Sequence, residues 1–134
     1  MISKYNIYSK KGDMFALECY RFEYDESGFT LYDDGNSQSK EGFLSFEHVA
    51  AILPEKQSQV KNAVHFEIYL KGRKDPLEVM AHAFNLEQPP SVRFYVRDVF
   101  VGSDPNDVEI QGIYIAISEI VAIIPADGLK SYRR

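Results

Sequence analysis

Apolar side chains recur at every second position in several short runs of this chain. In AVHFEIYLK, Val64, Phe66, Ile68 and Leu70 fall on one face, with His65, Glu67 and Tyr69 on the other. In SVRFYVRDVFV, Val92, Phe94, Val96 and Phe100 share a face opposed by Arg93, Tyr95 and Arg97. MFALECYRFEY puts Phe15, Leu17 and Cys19 on one side; its alternation then blurs from Tyr20 to Tyr24, as a bulge or two-sided burial would cause. Successive side chains of an extended chain point to opposite faces, so a period of two predicts half-buried strands. Between the runs stand ESG, DDGNSQSKEG, KGRKDP and GSDPND. Their Gly, Asp, Asn, Ser and Pro residues supply positive φ or fold onto their own backbone, so each predicts a turn. Short strands at regular spacing predict a mainly β fold, an antiparallel sandwich or small barrel.

Two patterns compete over KDPLEVMAHAFNLEQPP. Read as a short helix over residues 76–87, it has Asp75 as N-cap, Pro76 at the first helical position and Glu78 as the capping-box acid. Leu77, Met80, Ala81 and Phe84 then form the apolar stripe, and Pro89-Pro90 ends it. Read as a strand, LEVMAHAF pairs with FEIYLK across KGRKDP and turns Leu77, Val79 and Ala81 inward. The hairpin is the slightly better fit, and one helix is the most the pattern allows.

The chain also echoes itself. At a constant offset, Phe43, Leu44, Phe46 and Val49 match Tyr114, Ile115, Ile117 and Ile120, and Ala51, Ile52 and Pro54 are identical to Ala122, Ile123 and Pro125. In both copies a strand ends, two polar residues follow (Glu47-His48, Ser118-Glu119) and an apolar run resumes until proline stops it. Two residues suffice for a 3₁₀ corner that redirects the chain. This local arrangement resembles the last strand, 3₁₀ turn and final strand of small SH3-like barrels. The expected organisation is two duplicated β units packed together, at 1–58 and 62–128, or one integrated domain, followed by a basic tail at 129–134. The segment EKQSQVKNA between them is short and lacks Gly and Pro, which favours rigid packing.

Composition narrows the class. With 134 residues, 45% hydrophobic and 26% charged, the chain is long enough to bury a core without metal or disulfide. Cys19 is alone, so no intrachain disulfide forms, and a cytoplasmic location is expected. The N-terminal stretch lacks the apolar run of a signal peptide, and no segment is apolar enough for a membrane-spanning helix. Net charge is −5, with 6 Lys and Arg against 10 Asp and Glu in residues 1–60 and 9 against 10 in residues 61–134. Such a balance repels phosphate backbones, so nucleic acid would need a locally basic face.

Candidate chemistry is sparse. His48, His65 and His82 lack the close spacing of a metal motif and read as exposed histidines. Asp33, Asp34 and Asn36 begin like a calcium loop, but Ser45 stands where its closing acid belongs, and GSDPND likewise reads as a turn. Cys19 sits among apolar neighbours, where a thiol is inert. These features predict no catalytic residue, cofactor or metal. A candidate basic face comprises Lys71, Arg73, Lys74, Arg93 and Arg97, interleaved with Tyr69 and Tyr95. A candidate interaction surface is Val99, Phe100 and Val101 near the tip of a long hairpin, Arg93–Ile117, whose return strand reads as covered on both faces, by a partner or by an internal core. The leading expectation is a non-enzymatic binding or scaffolding module that associates with itself or another protein. A small-barrel nucleic-acid binder is the alternative, and an enzyme using His65 or His82 as base the third.

Overall fold

The computed structural model describes residues 3–33, 40–98 and 106–129. The described chain is mainly β, with two single-turn 3₁₀ corners as its helical elements. The first half runs β1 (Ser3–Ser9), β2 (Met14–Cys19), β3 (Arg21–Tyr24), β4 (Gly28–Tyr32) and β5 (Glu41–Ser45), then a corner at Phe46–His48 and β6 (Val49–Pro54). The second half runs β7 (Val64–Leu70), β8 (Leu77–Ala81), β9 (Ala83–Asn85), β10 (Arg93–Asp98), β11 (Asn106–Glu109) and β12 (Tyr114–Ile115), then a corner at Ile117–Glu119 and β13 (Ile120–Pro125).

The strand reading of 76–87 holds: β8 pairs with β7 from Val64↔Ala81 to Ile68↔Leu77, and Leu77, Val79 and Ala81 are buried. No helix forms there. The linker reinforces this edge, because the Gln57 side chain donates to Glu78 O at 2.6 Å and accepts from Met80 N–H at 3.0 Å. The long return strand of the Arg93 hairpin is not continuous. Residues 110–113, with Gly112 at φ +81°, interrupt it and separate β11 from β12.

Among the described residues all pairing is antiparallel and falls into four sheets, β12-β6-β1-β2, β3-β4-β5, β13-β7-β8 and β11-β10-β9. The expected closed barrel is not seen among the described residues. Each ladder breaks where a single residue, Tyr20 or His82, turns the chain from one sheet into the next, and the strands flanking each corner do not pair with each other.

The halves use the same register. Tyr5↔Pro54, Ile7↔Ile52, Tyr8↔Ala51 and Ser9↔Val49 in the first correspond to Phe66↔Pro125, Ile68↔Ile123, Tyr69↔Ala122 and Leu70↔Ile120 in the second, each ladder slipping at one residue, Ala50 or Val121. Backbone bonds outside the ladders also correspond. Lys10 N–H donates to His48 O at 3.0 Å and Lys71 N–H to Glu119 O at 2.9 Å. Glu55 donates to Lys4 O as Ala126 does to His65 O, and Tyr20 to Tyr32 O as His82 does to Tyr95 O.

Two apolar cores share one wall. Tyr5, Ile7, Cys19, Phe29, Val49 and Ile52 form the first, closed by Tyr114 and Ala116 from the second half. Phe66, Ile68, Val79, Val92 and Phe94 form the second, closed by Tyr8, Ala50, Ala51 and Leu53 from the first half. The sheet β12-β6-β1-β2 therefore sends alternate side chains into different cores. This is why β6 reads VAAILP, apolar at every position: both its faces are covered.

Candidate functional site

Among the described residues, those singled out by sequence do not converge on one surface. Val99, Phe100 and Val101 lie outside the described residues. The covering expected for the strand around Tyr114 is internal, since Tyr114 enters the first core and Ile115 the second. Of the candidate basic face, Lys71 and Lys74 are exposed in the β7–β8 turn. Arg73 folds back onto the first half, with its guanidinium carbon 4.6 Å from the Tyr8 ring centroid and one nitrogen 3.3 Å from Gly12 O. Arg93 and Arg97 stand on β10, where Arg93 binds Glu109 at 3.0 Å and Arg97 binds Asp107 at 3.2 Å, both acids on β11. Period two explains this pairing: cross-strand neighbours on one face meet, and opposite charges there attract.

Of the two histidines considered as a base, His65 is exposed on β7 and the His82 ring is already engaged. His82 Nδ1 accepts from Arg97 N–H at 2.8 Å, leaving Nε2–H to donate to Lys61 O at 2.9 Å. Cys19 is buried, and burial pushes its thiol pKa up, away from the reactive thiolate. No group of three or more His, Cys, Asp or Glu among the described residues is placed to hold a metal. No helix among them is long and apolar enough to cross a membrane.

A cleft of about 730 Å³ opens between the halves, lined by Tyr20, Arg21 and Tyr24 on one side and Arg93, Glu109 and Gly112 on the other. Its charges are matched within it, Arg21 with Glu23 and Arg93 with Glu109, so the cleft favours neither an anion nor a cation. Sequence spacing could not have predicted it, because its walls come from strands about seventy residues apart, and only the shared sheet brings them together.

Unpaired strand edges are the more distinctive surface. Among the described residues β5 pairs only with β4, and β13 only with β7, which leaves the outer backbone groups of each without a described strand partner. Large apolar side chains accompany these edges: Phe43 on β5 is 62% exposed, and Val121 and Ile124 on β13 are 66% and 39% exposed. Outer strands elsewhere also expose apolar residues, Met14 and Phe15 on β2 and Val108 on β11. The β5 and β13 edges are set apart by their correspondence to edges already joined inside the molecule: β12 pairs with β6 through Tyr114↔Ile52 and Ile115↔Ala51.

Compared with known proteins, the chain matches no family model, no curated protein and no solved structure.

Proposed function

We propose that the chain is a non-enzymatic β scaffold that binds protein through the outer edges of its sheets and associates with itself. Its halves are read here as duplicated SH3-like units. Supporting that reading are the common order of elements, the matching registers of β1·β6 and β7·β13 with a slip at the same place, and the corresponding backbone bonds at each corner. The observation that carries the function is the pairing of uncovered apolar side chains with unpaired backbone on β5 and β13. A strand edge with free N–H and C=O groups is a template for another strand, and proteins that avoid such pairing usually place charge or proline there. Here the exposed Phe43 and Val121 stand on those edges, with one charge, Glu41, at the start of β5 and one proline, Pro125, at the end of β13. A basic face for nucleic acid has less to draw on, because Arg93 and Arg97 are ion-paired and Arg73 is stacked on Tyr8. Light scattering on a sizing column tests the scaffold reading. The expected mass exceeds that of one chain and rises with concentration; a single-chain mass at every concentration overturns it.

A further inference from the structure

The joint between the two halves has a direction. The second half contributes β12, the strand before its corner, and the first half contributes β6, the strand after its corner. Each half has one strand of each kind, so among the described residues a chain uses one of each and leaves one of each free, β5 and β13. We infer that, resting on the self-association proposed above, copies of this chain join head to tail, β5 of one pairing with β13 of the next in the register β12 uses on β6.

Burial at corresponding positions supports this partner over any other. Ala50 and Leu53 on β6 are 1% and 4% exposed because the second half covers them, whereas their counterparts on β13 are the exposed Val121 and Ile124. On the donor side, Tyr114 is 1% exposed where β12 lies on β6, and its counterpart Phe43, the one ring on β5, is 62% exposed. The side chains that are covered at the internal joint are thus apolar and uncovered at both free ends. The backbone corresponds as well. Ala116 N–H donates to Ala50 O at 2.9 Å, and the matching groups at the free ends are Ser45 N–H and Val121 O. The register places Phe43 opposite Ile123 and Leu44 opposite Ala122, as Tyr114 stands opposite Ile52 and Ile115 opposite Ala51. Such a heterologous contact does not end at two copies, since a pair still has one free edge of each kind; it continues until a ring closes or as a filament.

The test uses the full chain and three variants. Phe43→Asp and Val121→Asp put a charge on exposed sites at the two ends. Ser45→Pro removes the proposed donor at a residue whose φ of −69° already suits proline, so it probes the backbone bond without adding charge. Wild type is expected to exceed the mass of two chains, and each variant to fall to one chain with an unchanged far-ultraviolet dichroism spectrum. Mixed in equal amounts, Phe43→Asp and Val121→Asp should give the mass of two chains, because one supplies an intact β5 and the other an intact β13. A mixture that stays at one-chain mass overturns the head-to-tail pairing. So does wild-type assembly that survives Phe43→Asp and Ser45→Pro while Val121→Asp dissolves it, which marks β13 joining β13. Assembly that no variant disturbs leaves self-association standing and removes this interface. Wild type at one-chain mass removes both.

Discussion

Tyr114 concentrates much of the molecule's logic in one side chain. Its ring meets Phe29 edge-on at 4.7 Å and lies 5.2 Å from Tyr24, in a core whose other members come mostly from the first half. Burial, with smaller contributions from Tyr24 and Glu119, pushes its phenol pKa up to about 12 from the usual 10. The folded state therefore holds this proton more tightly than the unfolded chain does. Stability is unaffected below pH 10, falls as the unfolded phenol ionises, and stops falling once pH passes about 12. A two-unit shift corresponds to about 3 kcal/mol lost across that window. Tyr114→Phe keeps the ring and removes the ionisation, so its denaturant midpoint should decline less than that of wild type between pH 10 and 12. Equal decline in both would show that Tyr114 ionises as freely in the fold as out of it. Alternation in the sequence placed Tyr114 opposite Ile113, Ile115 and Ile117, and both faces were expected to be covered. That each face serves a different core could not be read from periodicity, which reports burial and not the identity of the cover.

At the scale of elements, the strands and turns were the most legible features, because alternation and turn chemistry are local. The faces of β7 and β10 are those the pattern indicated, and Phe66, Ile68, Leu70, Val92 and Phe94 are all buried. Residues 76–87 were ambiguous because Leu77 and Ala81 satisfy both periods; pairing with β7 decides for the strand. The break at 110–113 left a signal in the sequence, a lone glycine inside an alternating run, which often marks an irregularity. Turns also do more than reverse the chain. Gly12 in the β1–β2 turn has φ +97°, and a Cβ there would come within 2.7 Å of Gly72 O in the β7–β8 turn. Backbone conformation and this contact between halves both demand glycine, so Gly12→Ala should cost about 2 kcal/mol in chemical denaturation. Gly42→Ala is the control. Its nearest contact is Leu31 Cδ1 at an ordinary 3.5 Å, and its effect should stay within about 0.5 kcal/mol. A neutral Gly12→Ala would mean the turn can open without loss.

For the whole molecule, the shared sheet sets how far the halves can act alone. In the sequence, the polar segment Glu55–Ala63 separates two similar patterns, but nothing in those patterns signals the interlocking of the cores. It depends on pairs such as Tyr114↔Ile52, far apart in the chain, and no local pattern encodes such a contact. Removing residues 62–134 would uncover the Ala50, Ala51 and Leu53 face of β6 and take Tyr114 out of the first core. Removing residues 1–58 would open the second core where Tyr8, Ala51 and Leu53 close it. A buried side chain of this size contributes roughly 1.5 to 3 kcal/mol, so losing several consumes most of the roughly 5 to 15 kcal/mol by which a domain is stable. Neither half is therefore expected to be a folded monomer. Each half alone still carries one strand before its corner and one after it, so whatever structure it gains should come with association. Equimolar mixing should restore the native pairing, with a dispersed amide spectrum and a cooperative melt absent from either half alone. If each half instead melts cooperatively as a monomer, the shared wall is a contact between independent domains rather than a common core, and β12 on β6 is docking rather than folding.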